Sequence, residues 1–193
     1  MNPHFVVLVG SATPPGRTQT MASALAELIR VQRETAHVDI VDLVNVALQA
    51  ADGRPLEAYD ATIREAVERL ASARGVVVAS PVYRATYAGV LKNFLDIVPF
   101  EALHGKPVGL AVLGGSLHHY LGVDDALRAV LAWYGALALP TSVYLCGTDF
   151  DERKALTARA RAELAGLAGA LVTLTDALAG KTLGPAPLAA PRP

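Results

Sequence analysis

Cysteine is nearly absent: Cys146 stands alone among 193 residues. That excludes an intramolecular disulfide and any cysteine-rich metal site, and no metal centre is expected. Long apolar runs are missing too, and none nears the roughly 20 residues of a membrane span. The start "MNPHFVVLVG" lacks the basic stretch and cleavage site of a secretory signal. The expectation is a cytoplasmic protein with no membrane partner. Charge of either sign is sparse, 18% of residues, with a net charge of −1. Nothing forms the basic stripe that a nucleic-acid-binding protein carries, so no nucleic-acid partner is expected.

What the chain has is apolar surface, 52% of its residues. A sheet buried on both faces would use it, and so would contacts between subunits. The pattern alternates strand and helix. "HFVVLVG" (4–10), "HVDIVDL" (37–43), "GVVVAS" (75–80), "KPVGLAVLGG" (106–115) and "TSVYLC" (141–146) read as strands. Helical periods fall at 18–32, 59–73, 86–98, 118–135 and 151–178, with Pro99 closing the third. Strands alternating with helices predict a parallel sheet covered on both faces. Five strands favour the order 2-1-3-4-5, a three-layer α/β sandwich of flavodoxin-like type. Residues 1–180 then form one domain. The tail 181–193, rich in proline and alanine, is expected to be disordered. Ligands bind beyond the carboxyl ends of such strands, which selects the loops 10–20, 80–87 and 113–119.

The first of these loops, "GSATPPGRTQT" (10–20), is neither of the common nucleotide-binding turns. It has too few glycines for G-x-G-x-x-G and no lysine after a glycine. It offers Ser11, Thr13, Thr18 and Thr20 with Arg17, just where a helix begins. Unpaired amides and the positive helix end make that corner an anion site. A single terminal phosphate suits it better than a pyrophosphate. The alternative is a plain capping turn with Thr18 as the N-cap.

The second loop is "SPVYRATYAGVLKNFLD" (80–96). Pro81 cannot continue a central strand, so a turn is expected there, flanked by Tyr83 and Tyr87. The third, "LGGSLHH" (113–119), permits close backbone approach at its glycines. Lys92 and Asp96 read as a surface ion pair. His118 and His119 lack the spacing of a zinc motif. No G-x-S-x-G elbow supports Ser11 as a hydrolase nucleophile. Cys146 reads as buried and inert.

With these motifs in order, the chain resembles the NADPH-dependent FMN reductases. The stretch 80–96 is similar to that family's S-P-x-Y-x-x-x-x-x-G-x-L-K-x-x-L-D motif. The first loop resembles its G-S-x-R phosphate loop, with Thr13 in place of the arginine. The segment 114–131 resembles the short reductases of sulfonate and sulfur assimilation.

The resemblance implies FMN as cofactor and NADPH or NADH as hydride donor. It places the phosphate on Ser11, Arg17, Thr18, Gln19 and Thr20. It sets the flavin ring against Pro81, Val82, Tyr83 and Arg84, and against Gly114, Gly115 and Ser116. No side chain acts as catalytic acid or base, because hydride transfer needs stacking alone. Amides near Gly115 and Ser116 are the expected stabilisers of charge developing on the ring. Arg84 or Arg17 is expected to hold the dinucleotide phosphate. The implied partner is a monooxygenase that consumes reduced flavin. Alternatives within the fold are a flavin-retaining quinone, azo-dye or chromate reductase and an electron-carrying flavodoxin. Helix 118–135 carries more apolar bulk than one sheet needs. That predicts a homodimer or homotetramer packed through this helix with Phe94 and Ile97.

Overall fold

The computed structural model describes residues 2–13, 16–117, 120–181 and 183. Its central strand is β3 (Gly75–Tyr83), buried from Gly75 to Pro81. Such a run, apolar on both faces, stays in place only where helices cover both sides. Parallel to it lie β1 (His4–Val9) and β5 (Pro107–Leu113). Beyond β1 runs β2 (His37–Asp42), whose alternating burial marks a sheet edge.

Successive residues of each strand serve opposite layers. Phe5, Val7 and Val9 of β1 join Val77 and Ala79 of β3 in the core under α1 (Arg17–Gln32) and α5 (Ala158–Ala177). Val6 and Leu8 join Val76 and Val78 in the core under α2 (Ala61–Ser72), α3 (Gly89–Ile97) and α4 (Tyr120–Tyr134). This two-residue alternation produces the three-layer sandwich.

The fifth strand departs from the expected 141–146. It is split into β6 (Leu137–Ala138) and β7 (Val143–Leu145), both paired with β5. Pro140 lies in the gap, where a missing N–H breaks the ladder. Arg128 of α4 bridges the break, donating to the carbonyls of Leu139 (2.8 Å) and Pro140 (3.1 Å). Asp124, one helical turn earlier, steers that guanidinium from 2.7 Å. The main path is therefore β2-β1-β3-β5-β6.

Two helices begin later than the periodicity suggests. Residues 86–87 are not helix but a short antiparallel strand, β4 (Thr86–Tyr87), folded back on Val82 and Tyr83. Residues 151–156 form a turn, because Asp151 Oδ1 accepts from the amides of Arg153 and Ala155, both at 2.8 Å. Such local bonds compete with helix formation, and α5 starts only after its Thr157 cap.

The apolar excess of residues 118–135 is absorbed mostly within the chain. Leu127, Leu131, Tyr134 and Phe94 are buried, and Ile97 is nearly so. Tyr134 turns its hydroxyl inward, donating to the carbonyls of Leu95 and Val98. Trp133 remains half exposed, at 50%. The side chain of Leu121 and the residues His118 and His119 lie outside the described residues, as does most of the 181–193 tail. Among the described residues no helix is long and apolar enough to cross a membrane.

Candidate active site

Strand register brings the loops together. Val9 is level with Ala79, and Pro81 is level with Leu113, which is level with Leu145. Four parallel strands thus end side by side, and the segments leaving them share one rim.

At the first loop, Gly16 is the N-cap of α1 and brings no side chain to the task. Thr18 is not the cap. It lies inside the first turn and is buried. The helix's first amides, on Arg17, Thr18 and Gln19, meet no acceptor among the described residues. Gln19 accepts from the Gly16 amide at 2.8 Å through Oε1, while its Nε2 is buried without a partner. Ser11, fully buried, shares a 3.0 Å bond with the Thr13 hydroxyl. Thr20 commits its hydroxyl proton to the Gly16 carbonyl, at 3.3 Å. Arg17 leans over the Phe150 ring, 5.6 Å from its centroid. Among the described residues the corner has more donors than acceptors, the arrangement an anion completes.

At the second loop the chain does not turn at Pro81. β3 runs on to Tyr83, and the turn falls at Arg84 and Ala85. Proline is tolerated because its missing N–H points toward β1, which ends at Val9. Arg84 and Ala85 have φ of +51° and +66°. These left-handed values match a two-residue hairpin turn of the primed kind. Each costs a residue with a Cβ about 1–2 kcal/mol, so the surroundings must hold the hairpin. Ser80 does so from below: buried, it donates to the Pro81 carbonyl (2.9 Å) and accepts from the Ala88 amide (3.2 Å). Gly122 of α4 does so from above. A Cβ there would lie 2.5 Å from the Ala85 carbonyl oxygen, so only glycine lets the turn rest on the helix. Tyr83 stays 42% exposed beside the tip, and Arg84 projects at the tip itself.

At the third loop Gly114 spends its amide on the Leu145 carbonyl, at 2.9 Å. Its service is space: a Cβ would lie 1.7 Å from the Tyr144 hydroxyl. Through that gap Tyr144 reaches the Ser116 carbonyl and donates to it at 2.6 Å. Burial raises the pKa of both Tyr144 and Tyr87 above the usual phenol range, so each remains a donor at neutral pH. Gly115 is exposed, with open space where a Cβ would go, and its amide has no acceptor among the described residues.

A fourth segment, 146–150, joins the rim, and sequence reading missed it. Buried Asp149 accepts from the Cys146 amide at 2.8 Å and pairs with Arg159. This holds Phe150 beneath Arg17. The only signal was an acidic residue three places after Cys146, too common to stand out. Cys146 is buried, as expected, and Lys92 with Asp96 forms the surface pair, at 2.6 Å.

A parallel sheet of this order, covered on both faces and with a donor-lined rim at its carboxyl ends, defines a flavodoxin-like α/β protein. Comparison with known proteins narrows this. Residues 3–151 match the NADPH-dependent FMN reductase family, and the chain belongs to it. It is 32% identical over 147 residues to the NADH-dependent FMN reductase SfnF of Pseudomonas putida, covering 76% of this chain and 79% of that one. It is also 32% identical over 167 residues to an FMN reductase (NADPH) of Pseudomonas aeruginosa, covering 84% and 88%. A crystal structure of the apo NADH:FMN oxidoreductase EMOB superposes with a TM-score of 0.78 at 26% identity, over 93% of this chain and 92% of that one. FMN with a nicotinamide donor is therefore the redox pair of this enzyme.

Proposed function

We propose that this enzyme takes FMN as a dissociable substrate, reduces it with NADPH or NADH, and releases it to a separate flavin-consuming monooxygenase. The carrying observation is the anion corner. Its open donors are the amides of residues 17–19, Gln19 Nε2 and the one hydroxyl proton that the Ser11–Thr13 bond leaves over. Arg17 rests on Phe150 rather than being locked into the loop, and Arg153, Lys154 and Arg161 line the cavity beside Gly16, Gln19 and Thr20. Bonds from these donors to phosphate oxygens are charge-assisted through the anion itself, so such a corner selects the phosphate of FMN.

Bound FMN supplies the two-electron redox chemistry, and the protein supplies placement and electrostatics. Thr18 acts here through its backbone amide, since its side chain is buried, whereas Thr20 commits both its amide and its hydroxyl to the Gly16 carbonyl and shapes the turn instead. The edge made by part-buried Val82 with exposed Tyr83 and Arg84, on buried Pro81, would hold the ring from one side. The third loop would hold it from the other, with Tyr144 fixing Ser116 and the Gly115 amide directed at developing negative charge. Arg84, exposed at the hairpin tip and without an acidic partner among the described residues, is placed for a dinucleotide phosphate. A second copy of the chain over half-exposed Trp133 would form the homodimer or homotetramer. Light scattering should then give a mass above the 20.2 kDa of one chain.

Stopped-flow reduction of added FMN by each nicotinamide, on protein whose bound flavin has first been measured, tests the reading. Nearly colourless protein with saturable FMN reduction is expected. Protein that purifies with a full complement of flavin and reduces quinones faster than FMN would overturn it.

A further inference from the structure

At the opposite, amino-terminal end of the sheet lies a cluster that the flavin chemistry does not use. His4 of β1 and His37 of β2 are cross-strand partners, and Asp39 follows His37 on the same face. His4 Nε2 lies 3.1 Å from one oxygen of Asp39, and His37 Nε2 lies 3.1 Å from the other. The two rings sit 4.9 Å apart, and the three ligand atoms all lie within 4.8 Å of one another. The backbone beneath is pinned: the His37 amide donates to Pro3, and the His4 carbonyl accepts from Arg74.

The proton arrangement around His4 singles this cluster out. The Ser72 hydroxyl, in the last turn of α2, donates to the Arg69 carbonyl at 2.9 Å. It also lies 3.1 Å from His4 Nδ1, and the imidazole tautomer decides which of the two donates. With the hydroxyl proton given to Arg69, the Nδ1–H tautomer satisfies Ser72 and aims the Nε2 lone pair at a carboxylate oxygen. In that tautomer two acceptors face each other, and a cation joins them. Either a second proton or a metal ion serves, and an imidazole whose far nitrogen is held by a hydroxyl is oriented as metal-binding histidines are.

We infer that His4, His37 and Asp39 form a binding site for a divalent transition metal ion of the zinc class. Two imidazoles and one carboxylate are its preferred donors, at about 2.0–2.2 Å. His4 is mostly buried and pre-set by Ser72, with 18% of its side chain exposed. His37, at 65%, is free to swing the short distance to close the site. The remaining coordination positions face solvent. An ion here ties the edge strand β2 to β1, roughly 16 Å from the flavin rim at about 3.3 Å per residue.

Tag-free protein, stripped with EDTA and desalted, is titrated with zinc chloride by calorimetry, and its Tm is followed with and without zinc. One equivalent with saturable heat and a raised Tm is expected. His37→Ala and Asp39→Asn should abolish both, and Ser72→Ala should weaken binding by about tenfold. FMN reduction by the same variants without zinc should be unchanged. No saturable uptake, or uptake that survives His37→Ala and Asp39→Asn, would show that a proton alone joins these groups and would overturn the inference.

Discussion

Replacing Gly114 with alanine tests how the third loop is built. Gly114 has no positive φ, so alanine's backbone is unstrained there, and any cost is steric. The new Cβ would meet the Tyr144 hydroxyl at 1.7 Å and Cζ at 2.4 Å. The ring must leave, and the bond to the Ser116 carbonyl goes with it. Losing that bond costs about 0.5–1.5 kcal/mol, and forcing the displacement costs about 1–3 kcal/mol. A loss near 2–3 kcal/mol lowers Tm by about 5–10 °C in a domain of this size. Tyr144→Phe alone should cost about 1 kcal/mol. The informative measurement is the cycle: in a Tyr144→Ala background, Gly114→Ala should be neutral to within about 0.5 kcal/mol. Chemical denaturation of the four proteins gives the coupling, and the FMN KM reports the loop. An equal cost of Gly114→Ala in both backgrounds would refute the steric argument.

Gly122→Ala opposes two effects: helix propensity gains up to about 1 kcal/mol, and the clash with the Ala85 carbonyl costs about 1–3 kcal/mol. Stability should change little, while the FMN KM rises severalfold as the hairpin shifts; an unchanged KM would separate the hairpin from the flavin. Arg84→Ala should raise KM for NADPH with kcat for FMN reduction preserved, as measured at saturating donor; a KM equal to the parent's would remove Arg84 from donor binding. Lys106 is mostly buried, its ammonium donating to the carbonyls of Leu70 and Ala71, and burial lowers its pKa from 10.5 to about 8. Between those values the unfolded chain binds more protons, so stability rises with pH across that window. Lys106→Met should flatten this rise in denaturation curves, and an unaltered slope would contradict it.

Much of this architecture could be read from residue patterns, because buried parallel strands announce themselves as apolar runs. Val76, Val77 and Val78 sit as expected, and β2 betrays its edge position by alternation. Elements that depend on distant partners could not be read. The hairpin at Arg84 and Ala85 lacks glycine and asparagine, and it stands only because Ser80 and Gly122 hold it. The fifth strand breaks at Pro140, yet its continuity rests on Arg128, twelve residues away. Thr18 looked like a cap, but Gln19 binds the Gly16 amide and shifts the cap to a residue with no side chain. The apolar surplus of α4 did not say which side chains face inward: Leu127, Leu131 and Tyr134 fill the chain's own core, and Trp133 stays half exposed. The Tyr144–Gly114 fit and the Arg17–Phe150 stack join loops far apart in sequence, and no local pattern reports such pairs.

The most direct test of the central claim compares FMN with riboflavin by titration calorimetry, since the two differ only in the phosphate. If the open amides at the start of α1 receive that phosphate, FMN should bind at least tenfold more tightly, a difference of about 1.4 kcal/mol or more. Equal affinity for the two flavins, or no heat with FMN, would contradict the account.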